Sequence, residues 1–175
     1  EVPQPGDDDD LVAAASARPP HGPLSIIEDD PHFSDPSGAA LSDARALGAD
    51  VVRVMLSWQS VVPGGDTEST AKPPFNAYSP RSYRWESFDR RVKGALDRGM
   101  SVLITLAAPM PFWASEEPQV CARMRADDLK KPPAERRFWS CSWRPDVKEY
   151  AKFVTAVRRH VREQGWARRL LNFTL

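Results

Sequence analysis

The chain has 175 residues, enough for one ordinary domain and too few for two large ones. Lys+Arg and Asp+Glu number 24 each, so the formal net charge is zero, which argues against a strongly basic nucleic-acid binder. Hydrophobic residues make up 41%, enough for a core, yet no run of 18 apolar residues exists to span a membrane.

The charge balances only in sum. Residues 1–50 hold 11 acids against 2 arginines, a balance of −9, and residues 51–175 carry the compensating +9. Residues 1–23 are expected to be a disordered, acidic and Pro-rich arm with the tetrad Asp7-Asp8-Asp9-Asp10. A calcium cage would need a turn residue and spaced oxygens, and the tetrad supplies neither. The chain begins at Glu1 with no charged n-region and apolar core before it. Either a signal peptide has been removed or the chain has been trimmed.

Regular structure is expected to start with Leu24-Ser25-Ile26-Ile27, a short strand closed by Glu28-Asp29-Asp30-Pro31. A helix follows, with Asp35 as N-cap, Pro36 in the first turn, and Ala40, Ala44 and Leu47 at helical spacing. Gly48 stops it. Residues 51–56 form a buried strand ending at Ser57-Trp58. Residues 61–82 are a long loop, of the kind that is functional or disordered. A second helix covers Trp85 to Arg98, with Trp85, Phe88, Val92 and Leu96 as its stripe. Gly99 ends it, and a strand follows over residues 102–106.

Residues 108–144, with five prolines, are expected to be a second long loop. A third helix starts near Pro145, with Val147, Tyr150, Val154, Val157 and Val161 as its apolar stripe. Gly165 ends that helix, and residues 170–175 read as a fourth strand.

A helix thus ends at a glycine and a strand begins within about five residues, three times over. Alternating β and α units mean a parallel sheet with crossover helices. Both long loops lie on the β-to-α side, which favours a (β/α)₈ barrel over a doubly wound sheet. The latter announces itself by a glycine-rich first turn, and this first turn is Glu28-Asp29-Asp30-Pro31-His32. A small α/β phosphate-handling enzyme is disfavoured for the same reason.

In a barrel the strand ends face the ligand. They offer Glu28, Asp29 and Asp30, then Arg53, Ser57 and Trp58, then Pro109, Phe112 and Trp113. Carboxylates, an arginine and tryptophans suit a sugar, whose C–H faces stack on indole and whose hydroxyls need polar partners. Each residue also has a structural reading. Trp58 and Trp113 can be core. Arg53, inside an apolar strand, must be paired: it is either a structural ion-pair partner of a strand-end acid or a residue that orients a catalytic carboxylate. His32 reads as a loop residue and Trp85 as core. Cys121 and Cys141 are either one disulfide of a secreted protein or two thiols of a cytosolic one. Three histidines without a CxxC or HxxxH pattern make a structural zinc site and any cofactor unexpected.

The stretch from Gly48 to Trp58, followed by Val62-Pro63, resembles the second-strand region of cellulase-like glycoside hydrolases of the (β/α)₈-barrel clan. Gly99 to Trp113, with the turn Pro109-Met110-Pro111-Phe112-Trp113-Ala114, resembles their third strand. Trp143-Arg144-Pro145-Asp146 through Phe153, Val154 and Val157 resembles the helix before their fourth strand. The likeness covers roughly residues 24–175. It implies an α/β fold, the N-terminal part of a (β/α)₈ barrel with about four βα units.

It also implies a retaining mechanism on O-glycosyl bonds of a β-linked glycan or glycoside. Arg53, Trp58 and Trp113 would lie on the substrate side, with Glu28 and Asp30 as looser candidates. The family's acid/base Glu follows the fourth strand, in an Asn-Glu pair, and its nucleophile Glu follows the seventh. Neither has a counterpart here, so no catalytic residue is assigned, and a chain truncated before them is expected to be inactive alone. A whole barrel takes about 200–250 residues or more.

The alternative is a non-catalytic carbohydrate-binding or interaction module derived from such a barrel. Open edges at the first and fourth strands leave edge-to-edge self-association open to it. Secretion, with a signal peptide removed, is expected on the glycosidase reading, and a Cys121–Cys141 bridge fits it.

Overall fold

The computed structural model describes residues 23–64, 67–136, 141 and 144–174, with side chains as far as Leu171. The Asp tetrad, nearly all of the predicted arm, and Trp143 lie outside these residues. The fold is α/β, with four strands in the order β1 (Ile26–Ile27), β2 (Val51–Ser57), β3 (Ser101–Ala107) and β4 (Leu170–Thr174). The strands run parallel. Sheet order follows chain order, so each strand lies beside the next one in sequence.

The helices are α1 (Asp30–Phe33), α2 (Ala39–Ala46), α3 (Trp58–Val61), α4 (Glu86–Asp97), α5 (Pro118–Leu129) and α6 (Val147–Glu163). The chain divides into two compact units. One comprises the described part of residues 1–54 with Ser87–Thr105 and Val161–Thr174. The other comprises Met55–Glu86 and Leu106–His160.

The first unit holds most of the sheet. Asp50 joins β1 to β2: its carboxylate accepts the Ser25 N–H at 3.0 Å, and its own N–H donates to the Ser25 carbonyl at 3.0 Å. Its carbonyl then accepts the Ser101 N–H at 2.9 Å, where β3 begins. The three glycines expected to stop helices, Gly48, Gly99 and Gly165, all have positive φ (90°, 77° and 72°), which costs glycine nothing. Gly94 acts differently. A Cβ there would stand 2.7 Å from Leu41 Cδ1, so its absence lets α2 lie close on α4.

β2 and β3 alternate in burial. Val52, Val54, Val102 and Ile104 are fully buried, while Arg53, Met55, Ser57, Leu103, Thr105 and Ala107 are half-buried. Parallel sheets ordinarily have both faces covered. Here one side of these two strands is only partly covered, and it carries an arginine and a threonine.

Several local expectations are corrected. β1 is only two residues long, and Asp30, with Pro31 in the first turn, begins a one-turn helix where a strand-end turn was expected. Asp35 does not cap α2; its carboxylate takes the Ser37 N–H at 2.7 Å in a local turn, and Gly38, at φ 66°, precedes the helix. Leu47 is exposed, and Leu41 with Ala44 is the buried face of α2.

Residues 108–144 are not one long loop, because α5 occupies 12 of them. Pro118 is its first residue, and Gln, Ala, Arg, Met and Leu are good helix formers. The helix has no apolar stripe to announce it. Cys121 on α5 is disulfide-bonded to Cys141. Closing a loop of about 20 residues contributes about 3 kcal/mol on the loop-entropy argument.

The stripe of α6 is turned from the expected one. Phe153, Ala156, Val157, His160 and Val161 are buried, while Val147 is 74% exposed. Ala and His complete this face, and neither registers as strongly apolar in a periodicity count. Asp146 caps the helix, accepting the N–H groups of Lys148 at 2.8 Å and Glu149 at 3.0 Å.

Candidate functional site

In the first unit Arg53 is paired. Its Nη1 stands 2.9 Å from Glu28 Oε2, and its Nε donates to Thr105 Oγ1 at 3.0 Å. One guanidinium thus joins the end of β1, the middle of β2 and the third strand. Both side chains of the ion pair are 40% exposed, so solvent weakens it and it stabilises little. Its geometric effect is to hold a carboxylate and a guanidinium together beside the half-open strand face.

Asp30 does not join them. It pairs with Arg91 of α4, Nη1 to Oδ1 2.7 Å, with the arginine side chain only 9% exposed. Asp29 accepts from exposed His32 at 2.8 Å, an interaction that lowers the Asp29 pKa.

The second unit is built on aromatics. Trp58 opens α3, directly after β2, and stacks on Phe153 of α6, with centroids 5.1 Å apart and planes 7° from parallel. Trp113, in a 3-10 turn over Phe112–Ala114, meets Trp58 edge to face at 5.7 Å. Phe75, Tyr83 and Trp85 extend the cluster, and Trp85 stacks on buried His160 at 4.3 Å. Trp58 and Trp113 are 3% and 6% exposed, and their indole N–H groups are buried without a hydrogen-bond partner among the described residues. The two predicted tryptophans are therefore brought together as core-like side chains.

Beside Trp58 the chain leaves a hollow of about 170 Å³. Trp58, Leu106, Ala107, Met110, Pro145 and Tyr150 line it. It therefore lies where β2 and β3 end. Met110 and Tyr150 were not among the predicted site residues. Met110 stood in the quoted Pro-rich turn, and Tyr150 was assigned to the apolar stripe of α6. The Tyr150 hydroxyl has its pKa raised by burial. The Tyr83 hydroxyl donates to the Ala77 carbonyl at 2.9 Å, and burial, with the negative charge of Glu149, raises its pKa further.

Lys72 ties the loop segment that carries it to α6. Lys72 reaches Glu149 of α6 at 2.5 Å, and Lys152 meets the same carboxylate at 2.7 Å. Lys72 also lies 5.4 Å from the ring centroids of both Phe75 and Trp113. Burial raises the Glu149 pKa, but the hydrogen bonds from Lys152 and Lys72 outweigh it, and the net shift is downward.

A carboxylate whose pKa is depressed by folding adds stability above its unfolded pKa and loses it as pH falls through the folded value. Glu149→Gln is therefore expected to cost about 1–2 kcal/mol at pH 7. The two proteins should converge in acid, below the ordinary glutamate value of roughly 4.3. Urea midpoints measured from pH 7 to pH 3 check this, and a gap that stays constant across that range would count against it.

Among the described residues no group of three or more His, Cys, Asp or Glu could hold a metal ion. No helix among them is long and apolar enough to cross a membrane. No protein-family model matches the chain, and no curated protein matches it.

Proposed function

We propose that the chain is the N-terminal part of a (β/α)₈ barrel resembling retaining glycoside hydrolases, and that it binds a β-linked glycan or glycoside. The observation that carries this reading is the position of the hollow. It opens at the C-terminal ends of two adjacent parallel strands, where such barrels build their ligand sites. The half-open face of β2 and β3 supports it, since further strands of a barrel would complete that face. So does the Glu28–Arg53 pair, the polar material that sugar hydroxyls require.

Neither catalytic Glu of the resembled family has a counterpart in these 175 residues, so the chain by itself is proposed to bind without turnover. A secreted setting is part of the same proposal, and the Cys121–Cys141 bridge favours an oxidising compartment. Among the described residues β1 and β4 each have one sheet neighbour, which keeps self-association through their outer edges within the proposal.

Isothermal titration of the 175-residue chain with cello-oligosaccharides is expected to give saturable binding, with malto-oligosaccharides as the α-linked control. Aryl β-glucosides should release no phenol. Binding to no β-linked glycan or glycoside would overturn the reading, and turnover would overturn its non-catalytic part.

A further inference from the structure

The hollow beside Trp58 is chemically unlike a complete sugar subsite. A pyranose carries several hydroxyls, and each needs a partner once it leaves water. The side chains of Trp58, Leu106, Ala107, Met110 and Pro145 present apolar surface. The Trp58 N–H is buried within the protein and gives a ligand no accessible donor. Among the lining side chains that leaves the hydroxyl of Tyr150 as the polar group. A tyrosine hydroxyl is protonated at neutral pH, and burial shifts its pKa further up, so it can both donate and accept.

Size narrows the ligand further. The hollow measures about 170 Å³, and an apolar cavity of about 150 Å³ accommodates a benzene ring. Water held there would find few of the two to four polar partners it needs, so its displacement costs little. Trp58 and Tyr150 offer ring edges and faces to an aromatic guest. Met110 adds a deformable thioether that makes favourable contacts with aromatic rings.

We propose that this hollow binds a single phenol ring, with the ring among Trp58, Leu106 and Met110 and its hydroxyl on Tyr150 Oη. The site goes beyond the glycan reading. On a glycoside the ring would be an aryl aglycone, and a free phenol would bind as well.

The test is fluorine NMR on the full chain with 4-fluorophenol and fluorobenzene as probes. Both should show saturable shifts, with 4-fluorophenol binding more tightly. Ala107→Leu fills the hollow and should abolish both shifts while circular dichroism stays unchanged. Tyr150→Phe should weaken 4-fluorophenol about fivefold, the loss of one ordinary hydrogen bond, and leave fluorobenzene within about twofold.

No saturable shift with the unmodified chain would overturn the proposal. So would full binding by a folded Ala107→Leu protein. If Ala107→Leu fails to fold, the ratio of the two probes in Tyr150→Phe decides, and an unchanged ratio overturns the site. Phenol binding without oligosaccharide binding supports this site and removes the glycan-binding part of the earlier reading. Oligosaccharide binding without phenol binding does the reverse.

Discussion

Replacing Phe153 by Ala is expected to destabilise the protein by about 3–5 kcal/mol, the cost of emptying a large aromatic site in a packed core. Phe153 is fully buried, stacks on Trp58, and lies within 5.9 Å of Tyr83, centroid to centroid. Its removal leaves a cavity among rings that cannot easily collapse, since Trp58 is also held by Trp113. Val154, its neighbour on α6 and a member of the stripe read from sequence, is only partly buried. Val154→Ala should cost about 1 kcal/mol or less. Urea denaturation of both variants separates the two faces of the helix. A Val154→Ala penalty equal to that of Phe153→Ala would mean that the helix is seated on the stripe expected from periodicity.

The second large effect is expected at Asp30. Removing its carboxylate by Asp30→Ala leaves the Arg91 guanidinium, 9% exposed, without its ion-pair partner. An uncompensated buried charge costs about 3–5 kcal/mol. Asp30 itself is 24% exposed, so water reaches the pair and the loss should fall near the lower end. The double variant Asp30→Ala/Arg91→Met should recover most of it, because an apolar side chain of similar length carries no charge that needs a partner at this buried position. Thermal unfolding of the single and double variants measures the coupling. A neutral Asp30→Ala would show that the carboxylate does not hold α4.

Much of the architecture was legible because it rests on local rules. Glycines 48, 99 and 165 mark helix ends through a backbone conformation that other residues resist. The strands of residues 51–56 and 102–106 are β-branched apolar runs bounded by those stops. The stripe Phe88, Val92 and Leu96 is buried as its spacing requires. The pairing of Arg53 with a strand-end acid followed from the cost of leaving a charge unpaired in an apolar strand, though which acid did not. Helix α5 was missed for a physical reason. It draws its stability from propensity, a proline at its start and a disulfide to Cys141, so no periodic face announces it.

The candidate site was less legible. Glu28 and Asp30 stand two residues apart and looked equivalent, but the one-turn helix at Asp30–Phe33 separates their fates. One meets Arg53 of β2 and the other Arg91 of α4. Trp58 and Trp113 were named as aromatic strand-end residues, and the packing of α6 decides that their rings are core-like. Met110 and Tyr150 carried no signal of their own, because a hollow belongs to no single segment.

The sequence by itself determined the alternation of strand and helix, the glycines at which three helices stop, and the parallel direction of the strands. These are set by backbone conformation and by apolar spacing within a few residues. Only the tertiary structure decided which carboxylate meets which arginine, which face of α6 is buried, and where the aromatic side chains leave room beside Trp58. Those outcomes depend on side chains distant in sequence competing for the same contacts, and no local pattern records the result.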